Sequence, residues 1–88
     1  MSAEKAAFIA RTRAARVARF ETQQQICTLL GLSQGTYKSY ETRSPLPLWL
    51  IPRFCVACGV DIEWLLTGEG KGPHKSHVSF IDVRATIQ

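Results

Sequence analysis

Cys55 and Cys58 have the Cys-x-x-Cys spacing that zinc sites and dithiol redox sites use. A structural zinc ion needs four ligands, and a thioredoxin-like site needs a strand–helix–strand context that the surrounding sequence does not predict. Because a reduced cysteine often behaves as a small buried hydrophobe, we predict that both thiols belong to the core. A function in oxidation sensing through Cys55 and Cys58 is accordingly the least favoured one.

The two histidines, His74 and His77, lie beside a Gly-Pro connector, where a solvated tail is the expected setting. No grouping of serine, histidine and aspartate in the sequence suggests a catalytic triad. We therefore predict that the chain is not an enzyme and that it uses no metal, cofactor or small-molecule ligand.

Residues 22–41, TQQQICTLLGLSQGTYKSYE, offer a different chemistry, because many side chains carry hydrogen-bonding groups and only Lys38 and Glu41 are charged. Amide and hydroxyl groups suit a surface that meets phosphates and base edges. The charge distribution agrees with such a partner. Residues 1–43 hold seven basic and three acidic side chains, whereas residues 44–88 hold four of each, so the net charge of +4 lies in the first half.

The elements that position this stretch are short helices. A first helix is predicted over 4–19, with Phe8, Thr12 and Ala15 on its inner side. Its arginines at 11, 13, 16 and 19 spread around the helix, so solvation is expected for most of them. Thr22 is a good N-cap for a second helix, in which Ile26, Leu29 and Leu30 form an apolar stripe. Gly31 ends that helix.

Ser33 caps a third helix over 33–41, with Tyr37 and Tyr40 on one side of it. Two helices joined by a turn that contains glycine predict a helix-turn-helix, whose second helix enters the DNA major groove. Ile26, Cys27, Leu30, Leu32 and both tyrosines form its predicted inner positions.

The remaining chain predicts two more helices, one over about 50–58 that stops at Gly59, and one capped by Asp61 that ends at Gly68. Trp64, Leu65 and Leu66 are expected in the core. The apolar segment SPLPLWL, with Leu46, Leu48 and Trp49, either folds back on the domain or forms a contact patch, and the sequence leaves both open.

Within residues 77–87, a period of two puts Ser79, Ile81, Val83, Ala85 and Ile87 on one side. The β-branched residues favour a strand, although Phe80, Val83 and Ile87 also fit a helix. We predict an all-α, five-helix domain over 4–70, followed by a connector and C-terminal dimerisation tail over 71–88. The predicted strand would pair with the same segment of a second subunit, because an isolated strand leaves its backbone unpaired.

Several short motifs within 22–41 resemble the helix-turn-helix signature of the lambdoid phage repressor and Cro family, the Xre-type regulators. They are Thr22-Gln23, Cys27, Gly31-Leu32-Ser33, Thr36-Tyr37 and Tyr40-Glu41. The later sequence CGVDIEWLLTGEG resembles the segment that closes the same domain.

The resemblance implies that Gln23 holds a backbone phosphate, that the third helix carries the base-reading positions, and that Arg16 pairs with Glu41. The predicted DNA-binding residues are Gln23, Gln34, Gly35, Thr36, Lys38, Ser39 and Arg43.

These observations predict a cytoplasmic, homodimeric transcriptional repressor that binds a palindromic double-stranded operator with helix 33–41 in the major groove. No apolar run approaches the ~20 residues of a membrane span, and the start MSAEKAAFIARTR lacks a secretion signal. The alternative is a protein-interaction module of the same fold, antitoxin-like or repressor-antagonising, that uses the 44–50 loop and the tail.

Overall fold

The structure, a computed structural model, describes residues 2–73, and the strand predicted over 77–87 lies outside them. Within residues 2–73 there are five α-helices, one short 3₁₀ helix and no strand. The elements are α1 (Ala3–Arg19), α2 (Gln23–Leu30), α3 (Gln34–Tyr40), the 3₁₀ helix (Leu48–Leu50), α4 (Ile51–Cys58) and α5 (Ile62–Thr67). The predicted all-α class and the five helices are confirmed.

The turn between α2 and α3 is fixed by local hydrogen bonds. Thr22 and Gln25 form a capping box, because the Thr22 hydroxyl accepts from the Gln25 amide at 3.3 Å and the Gln25 side chain accepts from the Thr22 amide at 3.2 Å. Gly31 takes φ 73°, a left-handed conformation that ends α2. The Ser33 hydroxyl then accepts from the Thr36 amide and starts α3.

The core lies between α1, α2, α4 and α5, and α3 packs against α1 and α2 at its side. Its fully buried side chains include Ala15, Ile26, Tyr37, Phe54 and Leu65. Cys27, Cys55 and Cys58 are buried free thiols, so their predicted place in the core is confirmed. Thr12 is also buried, and its hydroxyl donates to the Phe8 carbonyl of the preceding turn.

Two helices bury less apolar surface than the sequence predicts. Leu29, part of the predicted apolar stripe, is 57% exposed, so that stripe is only partly buried. Leu66 is 50% exposed, so its predicted place in the core is wrong. Both helices have only about two turns, and each packs through one narrow face, which Ile26 and Leu30 occupy in α2 and Leu65 in α5. Trp64 is half-buried against the core.

The first helix shows a smaller difference, because Ile9 is buried while Phe8, the predicted inner residue before it, is half-buried. None of the helices within residues 2–73 is long and apolar enough to cross a membrane.

The apolar segment SPLPLWL after α3 was predicted either to fold back on the domain or to form an exposed contact patch, and it has features of both. Leu46 and Leu50 are buried in the core, whereas Leu48 and Trp49 are 81% and 75% exposed. The segment therefore folds back on the domain through Leu46 and Leu50 and still presents two large apolar side chains to water.

Candidate nucleic-acid interface

Helix α3 has an outer side made of the side chains predicted to meet DNA. Gln34, Gly35, Thr36 and Lys38 are exposed, and Ser39 is half-buried. Arg43, which follows the end of the helix, is exposed as well. The structure therefore brings the predicted recognition residues together on one short helix and the turn after it, with no carboxylate among them.

The hydroxyl groups on the outer side of α3 form hydrogen bonds with one another and with the helix backbone. The Ser33 and Thr36 hydroxyl oxygens are 2.9 Å apart, and the Ser39 hydroxyl donates to the Thr36 carbonyl at 2.8 Å. These bonds fix the rotamers of all three side chains. The exposed amide of Gln34 and ammonium of Lys38 are the long polar groups that extend from the same surface.

The inner side of α3 ends in a buried polar group that we call the Glu41 cluster, made of Glu41, Arg16, Tyr37 and Gln23. The Arg16 guanidinium donates two bonds to the Glu41 carboxylate, from Nε to Oε2 at 2.9 Å and from Nη2 to Oε1 at 3.0 Å. The Tyr37 hydroxyl donates to Oε2 at 2.5 Å, and the Gln23 amide donates to Oε1 at 3.1 Å. One carboxylate thus joins α1, α2 and α3.

The electrostatics of the Glu41 cluster keep its ion pair charged. Burial by itself raises the pKa of Glu41, but hydrogen bonds from Arg16, Tyr37 and Gln23 and the nearby positive charge outweigh it, so the pKa lies below the ordinary value. The bond to Glu41 raises the pKa of Arg16 despite its burial. Burial and the bond to Glu41 raise the pKa of Tyr37 far above the usual range, so its hydroxyl remains a donor.

Gln23 connects the Glu41 cluster with the surface. Its side chain is half-buried in the first turn of α2, where free backbone amides favour an anion. An amide group carries two N–H donors, so the bond to Glu41 leaves the second for another acceptor. The side chain of Gln23, which is predicted to hold phosphate, is therefore held in place by its hydrogen bond to the buried Glu41 carboxylate.

The arginines of α1 have different surroundings that spacing alone did not distinguish. Arg16 is 7% exposed and belongs to the Glu41 cluster. Arg11 donates from Nε to the Leu65 carbonyl at 2.8 Å and from Nη2 to the Leu66 carbonyl at 3.0 Å, which stabilises the C-terminal turn of α5. A sequence indicates such a cap only when the basic residue lies in the last turn of the helix itself. Arg11 belongs to α1 and caps α5, so the sequence around α5 carries no sign of it.

The buried thiols are poorly suited to redox chemistry. Burial raises the pKa of Cys27 and Cys55, and it raises that of Cys58 to about 12. The nucleophilic thiolate is therefore disfavoured at all three positions. This argues against an oxidation-responsive regulator that uses Cys55 and Cys58.

Residues 8–72 match the family model of the bacteriophage CI repressor helix-turn-helix domain. The match covers more than half of the chain and includes the outer side of α3, the Glu41 cluster and the Arg11 contacts with α5. No curated protein and no solved structure matches the chain.

Proposed function

The chain belongs to the bacteriophage CI repressor helix-turn-helix family, and from that premise we propose that this DNA-binding regulator represses transcription from a palindromic operator. It binds as a homodimer, with helix 33–41 of each subunit in the major groove. Such a regulator acts where the DNA is, so the cytoplasm is its proposed location. The absence of enzymatic activity and the division into a DNA-binding domain, 4–70, and a tail, 71–88, stay predictions.

The proposal is carried by the two-sided character of α3. The inner side is tied through Glu41 to α1 and α2, which holds the helix at a fixed angle. The outer side carries exposed donors and acceptors without a carboxylate. A rigid support behind an uncharged or basic polar surface is what recognition of base edges requires, because DNA supplies the negative charge.

The recognition residues divide into two roles. Gln34 is proposed to offer paired donor and acceptor groups to an adenine, Thr36 to contact a thymine methyl group, and Lys38 to reach a guanine or a phosphate. Gln23 at the N-terminus of α2 is proposed to hold a phosphate and set the angle of approach. Gly35, Ser39 and Arg43 complete the proposed contact surface.

The decisive test compares Gln34→Ala with Gln23→Ala. The operator is first selected from random DNA, and both variants are then bound to a panel of single-base operator changes at fixed salt. Gln34→Ala should cost about 1 to 3 kcal/mol on the selected site and relax the preference at one base pair of each half-site. Gln23→Ala should weaken all sequences alike.

An even loss across the panel for Gln34→Ala would mean that α3 is not the recognition helix. The selected site carries a second test, because a two-fold dimer requires inverted half-sites about 10 base pairs apart, centre to centre. A single direct repeat among the selected sequences would contradict the proposed symmetry.

A second candidate function is a protein-interaction module of the same fold, either antitoxin-like or repressor-antagonising. The exposure of Leu48 and Trp49 in the 44–50 loop favours it. Binding to generic duplex DNA as a function of salt separates the two functions, because phosphate contacts make affinity fall steeply as salt rises. A protein-interaction module would show no such binding at low salt.

A further inference from the structure

The segment that follows α5 folds back on the beginning of that helix. The Asp61 amide donates to the Lys71 carbonyl at 3.0 Å, and the Lys71 amide donates to Oδ2 of the Asp61 carboxylate at 3.0 Å. The two residues are therefore joined by hydrogen bonds in both directions. We call residues 69–72, which this pair of bonds holds against α5, the strap.

The Asp61 carboxylate bonds the strap rather than the helix that it precedes. Asp61 is the N-cap residue of α5, yet its side chain accepts no hydrogen bond from the amides of that helix. An N-cap side chain normally satisfies one of those free amides. Here its oxygen accepts from Lys71 instead, so the carboxylate stabilises the closed strap.

Two glycines allow the strap to reach this position. Gly70 has φ 100°, a left-handed conformation that turns the chain back toward Asp61. Gly72 lies against the five-membered ring of the Trp64 indole, where an added Cβ atom would be 2.6 Å from Nε1 and 2.7 Å from Cε2. Since the indole packs against the core, a larger residue at 72 would push the strap away from α5.

We propose that the strap fixes the point at which the C-terminal tail leaves the domain. The sequence GEGKGPHKS, with three glycines and a proline, is typical of a free connector. Its first part is instead bonded to α5, so the tail begins at Pro73 and not directly after the helix. This proposal concerns the attachment of the tail and does not rest on DNA binding.

The attachment point is connected with α3 through contacts between helices. The end of α5 is joined to α1 by the two hydrogen bonds that Arg11 donates to its carbonyl groups. Helix α1 is joined to α3 by the pair of Arg16 and Glu41. A partner bound by the tail would thus be held at one position relative to the outer side of α3, whereas a glycine-rich free connector would let that position vary.

Trypsin cleavage after Lys71 in the full-length chain measures whether the strap is closed. Cleavage of a closed segment follows the population in which it is transiently open. The reference is a peptide of residues 66–74, in which Lys71 is the only trypsin site. The ratio of the two cleavage rates, measured by mass spectrometry, gives the protection at Lys71. We expect the unchanged chain to be cleaved at least about tenfold more slowly than the peptide.

Substitutions at Asp61 test the hydrogen bond to the strap. Asp61→Ala removes the acceptor of the Lys71 amide and should reduce the protection about fivefold, a typical effect of one hydrogen bond. Asp61→Asn retains an oxygen acceptor and should keep the protection within about twofold. Circular dichroism verifies the helix content of each variant.

Glu63→Ala is the matched control. It removes the same charge from the first turn of α5, and within residues 2–73 the Glu63 side chain forms no hydrogen bond with the strap. Its protection at Lys71 should stay within about twofold of the unchanged chain.

Gly72→Ala tests the strap from its other side and leaves α5 unchanged. The added methyl group cannot lie within 3 Å of the Trp64 ring, so protection should fall at least about fivefold against a peptide with the same substitution. In a Trp49→Phe background, acrylamide should quench the fluorescence of Trp64 more strongly once Gly72 is replaced, because the ring loses its cover.

Cleavage of the unchanged chain as fast as the peptide would overturn the proposal, and so would full protection in both Asp61→Ala and Gly72→Ala. Equal loss of protection in Asp61→Ala and either Asp61→Asn or Glu63→Ala would overturn it too, because the acceptor oxygen would then not be what closes the strap. None of these measurements involves DNA. The proposed function can therefore fail while the strap stands, and the strap can fail while DNA recognition stands.

Discussion

The two sides of α3 differ in where their polar groups find partners. On the inner side, Tyr37 is fully buried and Glu41 is 5% exposed, and both have partners within the chain. On the outer side, Gln34 and Lys38 face solvent. A substitution on the inner side should therefore change the free energy of unfolding, whereas one on the outer side should change DNA affinity alone.

The largest expected effect is that of Glu41→Ala on stability. The substitution leaves Arg16 buried without its carboxylate and removes the acceptor of the Tyr37 hydroxyl. Removing one partner of a buried ion pair costs on the order of 3 kcal/mol. Urea denaturation at neutral pH should show this decrease in the free energy of unfolding.

Glu69→Ala is the matched control, because Glu69 is exposed and lies just after α5. Its effect should stay within about 0.5 kcal/mol of the unchanged chain. If Glu41→Ala and Glu69→Ala had the same melting temperature, the inner side would not support the fold as described.

The second prediction concerns acid. The pKa of Glu41 is lower in the folded chain than the ordinary glutamate value of about 4.3, so its ionised form stabilises the fold above that pH. This contribution is lost as the pH falls from about 4.3 through the lower folded-state pKa. The stability difference between the unchanged chain and Glu41→Ala should thus shrink in this range, and a difference that stays constant would contradict the ionised pair.

The smallest effect is expected at Gln23 of α2, which bonds the buried Glu41 and is also the proposed phosphate contact. Gln23→Ala removes one hydrogen bond to Glu41 and should lower stability by about 1 kcal/mol, in addition to its uniform effect on DNA affinity. Gln24→Ala, at the exposed neighbouring position, is the control for helix propensity. If Gln23→Ala weakened DNA binding without any change in stability, the hydrogen bond between Gln23 and Glu41 would make no contribution to the free energy of unfolding.

Much of the fold could be predicted because its boundaries are set by local chemistry. Thr22 and Ser33 cap their helices with side-chain oxygens, and Gly31 and Gly59 take the left-handed conformation that ends a helix. Each of these signals acts within four residues. The Arg16–Glu41 pair was predicted as well, from the family resemblance, and the structure confirms it.

What could not be predicted depends on contacts between distant helices. Tyr37 lies four residues before Glu41, a spacing that places both on one side of the third helix, but only the packing of α1 against α3 buries that carboxylate beside Arg16 as a charged acceptor for the Tyr37 hydroxyl. Gln23 was assigned to phosphate alone, since its bond to Glu41 appears only when α2 and α3 pack. Leu29 fits the apolar stripe of α2, yet it is 57% exposed, because α4 lies beside it and covers only part of its surface.

The Arg11 contact with α5 has a consequence for synthesis of the chain. The Leu65 carbonyl that accepts from Arg11 lies 54 residues further along, which at about 5 to 20 residues per second is roughly 3 to 11 seconds of translation. The helix-turn-helix needs no such delay, because its capping and turn bonds join neighbouring residues. A ribosome that stops before Leu65 would therefore hold a chain whose recognition unit is complete in sequence while the side of α1 that α5 covers is still open to water.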